Sequence, residues 1–284
     1  MKKIGFIDYY LDEWHAVNYP AWIKEAAQRL GLAYAIDYAW AECEHSPVTG
    51  GSTAEWCARY GVKACGSMEE LCGSSDAIVI LSPDHAENHL RYARTALRYG
   101  KPVYIDKTFA PTLTEAKEIF SIAGRFGTPV CSSSALRFAG ELETDKPVRE
   151  LVTTGCGFSF DTYAVHQVEM IVYCLGTGAT RLMALQNGSD KTLVIDYADC
   201  RRALLCQSIG AEAPFTVSMD CGGPQAVYRP ITSDYFGRMI GEMLHFFETG
   251  EPMAPQAQTL EVMAILDAGR QALCTPDIWV PVAH

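Results

Sequence analysis

No lysine- or arginine-rich run appears in this chain, and the charge balance is acidic, with 34 Asp and Glu against 23 Lys and Arg for a formal net charge of −11. Nucleic acid and anionic membrane surfaces are therefore not expected as partners, because both call for a concentrated positive patch. No uninterrupted apolar stretch is long enough to span a bilayer. Met1-Lys-Lys leads straight into Ile4-Gly-Phe-Ile7, too short for a secretory apolar region, so the expected compartment is the cytoplasm. Cys-x-x-Cys is absent too. The 11 cysteines are odd in number and scattered through apolar segments, which fits reduced thiols better than a disulfide framework. Internal repeats and low-complexity segments are not found.

What is present is a chain of 284 residues, 49% hydrophobic, long enough for two domains. Residues 3–7 read as a strand, followed by a polar loop from Asp8 to His15. Trp22, Ile23, Ala26, Ala27 and Leu30 recur at helical spacing up to Gly31. Further strands are expected over 33–41, 77–81, 103–105 and 129–133. Helices lie between them, opened by caps such as Ser52-Thr-Ala-Glu55 and Thr112-Leu-Thr-Glu115. Strands alternating with helices imply right-handed crossovers and an α/β, Rossmann-type doubly wound parallel sheet over residues 1–135. Beyond that, several strands in succession and helices set apart imply an α+β domain over 136–284, with an open, mainly antiparallel sheet. A second copy of the chain would cover that sheet, making a homo-oligomer through the C-terminal domain.

The first strand lacks the G-x-G-x-x-G that lets backbone amides approach a pyrophosphate. The loop offers Asp8, Tyr10 and Glu13 or Trp14 instead. A carboxylate about 4 Å from a phosphate charge costs on the order of 4 kcal/mol at an effective dielectric near 20, unless Asp8 turns away or a cation intervenes. Glu42 and Asp37 are candidates for the acid that holds a ribose. No arginine follows the second strand, which favours NAD over NADP. Asp106 and Lys107 fall where the strand 103–105 has ended and the next helix has not begun, the edge at which open α/β sheets bind ligands.

Asp76-Ala-Ile-Val-Ile-Leu-Ser-Pro83, His89, Ala96-Leu97 and Gly100-Lys-Pro-Val with Asp106-Lys107 together resemble the glucose-fructose oxidoreductase and inositol dehydrogenase family, Gfo/Idh/MocA. His166-Gln-Val-Glu169 with Leu175-Gly176, and Phe236 through Phe247-Glu-Thr-Gly-Glu-Pro252 with Leu266-Asp-Ala268, resemble its second domain. The resemblance covers about 76–138 and 235–270, and the middle follows only in outline. It implies a nicotinamide-dependent oxidoreductase acting on a sugar, cyclitol or related polyol, with NAD as cofactor. Lys107 and His166 are then the catalytic pair, Lys107 at the reacting hydroxyl and His166 across the cleft as general base or substrate ligand. Asp8, Tyr9, Glu42, Ser82, Pro83, His89 and Asp106 would line the cofactor, and Arg137 and Tyr163 would meet the substrate.

The sequence departs from the family at Asp106-Lys107-Thr108, which stands for Glu-Lys-Pro, and at Thr162, where an Asp one turn before His166 is usual, with Asp161 one residue out of phase. Two other functions remain open. Asp8, Asp12 and His15, with His85-Ala-Glu-Asn-His89, offer carboxylates and imidazoles for a divalent metal and lyase, isomerase or hydrolase chemistry. A non-catalytic member that binds a sugar-like ligand without cofactor is the other.

Overall fold

The computed structural model describes residues 1–185 and 188–284, which form two compact units. Unit one contains Met1–Ser133 and Phe236–Ala254, and unit two contains Ser134–Tyr235 and Pro255–His284.

In the first unit the chain runs β1 (Lys2–Asp8), α1 (Trp14–Leu30), β2 (Tyr34–Ala41), α2 (Thr53–Tyr60), β3 (Lys63–Ala64) and α3 (Met68–Ser74). It continues through β4 (Ala77–Ile80), α4 (His89–Ala96), β5 (Val103–Ile105), α5 (Leu113–Phe126) and β6 (Val130–Cys131). Among the described residues these strands make one six-stranded sheet in the order β3-β2-β1-β4-β5-β6. Every pair is parallel. Ala77 to Ile80 and Val103 to Ile105 are wholly buried, as apolar runs covered on both faces should be. Helix starts follow the caps in the sequence. Ser52 and Glu55 bond each other's backbone at α2, and Thr112 accepts the N–H of Glu115 at α5. The sheet order reverses between β1 and β4, so the ends of those two strands and of β5 form the ligand-binding edge of such a fold.

Two expectations change here. The stretch expected as a polar loop up to His15 gives way to helix at Trp14, with Pro20 inside α1, because Glu13 caps the helix so early. The two-residue, exposed β3 was not foreseen, since an edge strand of that length carries no apolar pattern.

The second unit begins with β7 (Glu150–Gly157), α6 (Phe160–Leu175), β8 (Ala179–Leu185), β9 (Lys191–Tyr197), β10 (Arg202–Ile209), β11 (Thr216–Asp220) and β12 (Val227–Pro230). After α7 (Tyr235–Thr249), which leaves this unit from Phe236, the second unit resumes with α8 (Gln256–Cys274) and β13 (Val280–Pro281). The second sheet runs β12-β11-β7-β10-β9-β8-β13 among the described residues and is antiparallel except for the β7–β10 pair. One face packs on α6 and α8, which come so close that a Cβ on Gly269 would lie 2.7 Å from Phe160 Cζ.

From Phe236, α7 belongs to the first unit, so a single division at 135/136 does not describe the chain. The reason is the apolar face of α7. Phe236 stacks on Trp22 at 4.6 Å and meets Trp14 at 5.2 Å, Phe247 meets Tyr34, and Met239 Sδ lies 3.8 Å from the Tyr104 hydroxyl. All 11 cysteines are free thiols, and no helix among the described residues is long and apolar enough to cross a membrane.

Candidate functional site

Asp106 directly follows β5, and its N–H continues the ladder onto Ile80 O at 2.9 Å. Its carboxylate is buried. Oδ2 lies 2.5 Å from His15 Nδ1, and Oδ1 accepts the hydroxyls of Tyr104 at 3.2 Å and Tyr19 at 3.5 Å. Burial pushes the carboxyl up, but the charges of His15, Lys107 and His89 outweigh it and bring Asp106 down to about 2. Lys107 is only 8% exposed and donates to Pro83 O at 3.1 Å, and the Lys107–Thr108 peptide is cis.

The start of α1, where a dinucleotide fold offers bare amides to phosphate, is already occupied. Glu13 is the N-cap, and its carboxylate accepts the N–H of His15 at 2.7 Å and that of Ala16. Burial raises the pKa of Glu13 against the opposing pull of His15. Asp8 has turned inward from the end of β1. Its Oδ1 accepts the N–H groups of Tyr9 and Ser82 and the Ser82 hydroxyl, while Oδ2 is buried with no partner among the described residues. Burial, then the charge of Glu13, raises Asp8 well above the usual range. Tyr10 is buried as well.

The other residues expected at a cofactor are largely engaged. Ser82 sits at φ 64 with its hydroxyl on Asp8. His89 is wholly buried, its two ring nitrogens lying 2.6 Å from Leu81 O and 3.2 Å from Phe109 O, so it pins the strand edge and presents no face to a ligand. Glu42 follows β2 as expected, but its carboxylate is bonded by Arg91 and by the Tyr92 hydroxyl, and these outweigh burial and lower its pKa. Sequence neighbours gave no hint of Arg91, which comes from α4. Asp37 lies at the bulge in the middle of β2, away from the strand end. Tyr9 packs on His85 at 4.5 Å. The metal alternative loses its geometry. Asp12 is bonded by Thr49 and Arg59, His15 faces Asp106, His89 faces carbonyls, and no group of three metal-binding side chains exists among the described residues.

In the second unit His166 projects from α6, with Nδ1 2.7 Å from Ser134 Oγ. The support expected one turn earlier is used elsewhere, since Thr162 bonds Ser159 and Asp161 pairs with Arg270. Ser134 thus holds the His166 ring, a pairing that no spacing rule reveals, being 32 residues away. Tyr163 presents its ring to His166 at 5.6 Å. Arg137, expected to meet the substrate, is buried with its guanidinium on Glu169 at 2.9 Å and on Gln258. It braces the turn of α6 that follows His166.

Residues 47–132 match the model of GFO_IDH_MocA, the oxidoreductase family with the NAD-binding Rossmann fold. A stretch of 71 residues is 37% identical to the uncharacterized oxidoreductase YhhX of Escherichia coli (strain K12), a match spanning 25% of this chain and 21% of that protein. Among solved structures, apo scyllo-inositol dehydrogenase from Lactobacillus casei is similar with a TM-score of 0.77 at 12% identity, over 100% of this chain and 99% of that one. GenD2 from gentamicin A biosynthesis, in complex with NAD, gives 0.78 at 11% identity over 100% and 97%. At such identities these likenesses speak for the fold. The matched stretch carries Glu42's partner Arg91, Asp106 and Lys107, so residues 47–132 are similar to the NAD-binding domain of the Gfo/Idh/MocA oxidoreductases.

Proposed function

We propose that this chain oxidises or reduces a sugar, cyclitol or related polyol with NAD as redox partner, Lys107 acting at the reacting hydroxyl and His166 as general base or substrate ligand. The observation that carries this is Lys107, a buried ammonium at the C-terminal edge of a parallel strand, beside ionised Asp106 and inside the family stretch. Scyllo-inositol dehydrogenase among the similar folds supports the substrate class, and the family description and the NAD complex of GenD2 support the cofactor. The compartment is the cytoplasm, in keeping with 11 free thiols. The oligomer forms through the second sheet, where Met183, Val194, Leu204 and Val152 make a half-exposed apolar row across β8, β9, β10 and β7.

The phosphate loop does not fit a dinucleotide in its usual placement. Glu13 holds the α1 amides, and Asp8 and Tyr10 fill two of the glycine places. That favours a second reading, a member that takes a sugar-like ligand without a dinucleotide. Titrating NAD and NADP against tryptophan fluorescence separates the two, since Trp14 is exposed and 5.2 Å from His15. Quenching below about 1 mM supports the first, and no response to either nucleotide leaves the second. Where a dehydrogenase activity is measured, Lys107→Ala should lower it about 10²- to 10⁴-fold with the fold intact. Unchanged activity removes Lys107 from its role.

A further inference from the structure

The stretch that stands in place of the glycine loop brings an imidazole to the sheet edge. His15 is the second residue of α1, and its backbone is fixed by Glu13. Its ring stacks on Tyr19 at 5.3 Å and meets the edge of Trp14 at 5.2 Å. Nδ1 faces Asp106, which the two tyrosine hydroxyls and its own backbone hold in place. With Nδ1 engaged by the Asp106 carboxylate, the ring nitrogen left to act on a ligand is Nε2. Nε2 makes no hydrogen bond to any described residue, and the side chain is 10% exposed. A carboxylate behind an imidazole whose other nitrogen is open is the arrangement that proton abstraction requires. Lys107, the residue after Asp106, spends one of its three N–H donors on Pro83 O.

We propose that His15, backed by Asp106, and Lys107 form a redox-neutral proton-transfer site that enolises a hydroxy-ketone of the sugar or cyclitol class, with no nicotinamide taking part. This rests on the substrate class of the function proposed above and not on its cofactor. His15 Nε2 takes the proton from the hydroxyl-bearing carbon beside the carbonyl. The electron pair of the broken C–H bond forms the C=C bond, and the carbonyl π pair moves onto oxygen, where a Lys107 N–H meets the developing charge. A proton returned to the same carbon regenerates the ketone or its epimer. If the neighbouring hydroxyl gives up its proton and the former carbonyl carbon receives one, the carbonyl moves by one position. No electrons leave the substrate, so no oxidant is needed, and Glu13 on the α1 amides acts to hold His15 in register with Asp106.

The probes are a keto-cyclitol (2-keto-myo-inositol) and D-fructose, incubated with the whole chain in heavy water without nucleotide and followed by proton NMR. Binding of each is read separately from tryptophan fluorescence. The expected result is loss of the C–H signal beside the carbonyl of at least one probe, faster than without protein. His15→Gln should slow it about 100-fold or more. Imidazole added to His15→Gly should restore part of the exchange, which a purely structural role for His15 would not allow. Circular dichroism verifies that each variant is folded. A ketone that binds without exchanging, exchange that persists in folded His15→Gln, or exchange that appears only with NAD overturns the proposal. If neither ketone binds, the substrate class of the proposed function fails and this site's ligand fails with it.

Discussion

Asp8 and Ser82 tie the ends of β1 and β4 together, Asp8 Oδ1 accepting the Ser82 N–H at 3.0 Å and its hydroxyl at 3.2 Å. The other oxygen of Asp8 is buried and unpartnered among the described residues, and burial followed by Glu13 raises the carboxyl well above its usual range. A folded-state pKa above the unfolded one means that the folded chain binds the proton more tightly. The stabilisation is then complete below the unfolded value near about 4 and is lost as pH rises through the folded value. Asp8→Asn keeps an oxygen for all three hydrogen bonds and removes the charge. Its Tm should equal that of the parent near pH 4.5 and exceed it by about 2–4 °C near pH 8, as measured by calorimetry. Asp106 and Glu141, both held at about 2, act oppositely: their stabilisation is full above the unfolded carboxylate range and is lost as pH falls from about 5 toward 2, a change that the parent and Asp8→Asn share.

Glu13 occupies the α1 amides that a pyrophosphate would otherwise reach. Replacing it by glycine removes the carboxylate from the amides of His15 and Ala16 and keeps a residue that tolerates the N-cap position at a cost of a few tenths of a kcal/mol. NAD should bind Glu13→Gly at least about tenfold more tightly than the parent, because one like charge is gone from the phosphate site. Isothermal titration of the pair at fixed salt gives the ratio. Equal affinities would mean that the pyrophosphate lies elsewhere than on α1.

Gly157 is a glycine because of what lies against it. A Cβ there would sit 2.3 Å from Tyr163 Cβ and 2.5 Å from its Cγ. Gly157→Ala should therefore push α6 from β7, costing about 1–3 kcal/mol in urea unfolding, and disturb the Tyr163–His166 contact. Gly124→Ala is the control. It lies within α5 with nothing within 4 Å of the added methyl, and should gain about 0.4–1 kcal/mol.

The sheet of the first unit was legible because its central strands are unbroken apolar runs, Ala77 to Ile80 and Val103 to Ile105, and because Ser52, Thr112 and the glycines mark helix ends in ways that follow from local geometry. Asp106 and Lys107 were placed at the edge for the same reason. What joins them to the rest was not legible. His15 and Asp106 are 91 residues apart, Ser134 and His166 are 32 apart, and Arg91 reaches Glu42 from another helix. Side-chain pairing at such separations leaves no period or spacing in the sequence. The helix α7 falls in a stretch that resembles the family's second domain, yet its apolar stripe of Met239, Ile240, Met243 and Phe247 does not say which unit it covers.

Arg137 and Glu169 make a buried ion pair, each side chain 5% exposed, with Nη1 donating to Oε2 at 2.9 Å and Ser134 N donating to Oε1 at 3.3 Å. Burial keeps Glu169 above its usual pKa even with Arg137 beside it. Arg137→Ala strands a desolvated carboxylate and should cost about 3–5 kcal/mol at pH 7. Adding Glu169→Gln removes the orphaned charge while keeping an acceptor for Ser134, so Arg137→Met with Glu169→Gln should recover most of the loss. The cost of Arg137→Ala alone should shrink toward pH 5, because Glu169 without its partner takes up a proton more readily in the folded state, and stability from a raised carboxyl grows as pH falls. Urea unfolding at pH 5 and 7 checks both statements. If the double variant is no more stable than Arg137→Ala at pH 7, the guanidinium matters through packing against Tyr173 and Gln258, not through its charge.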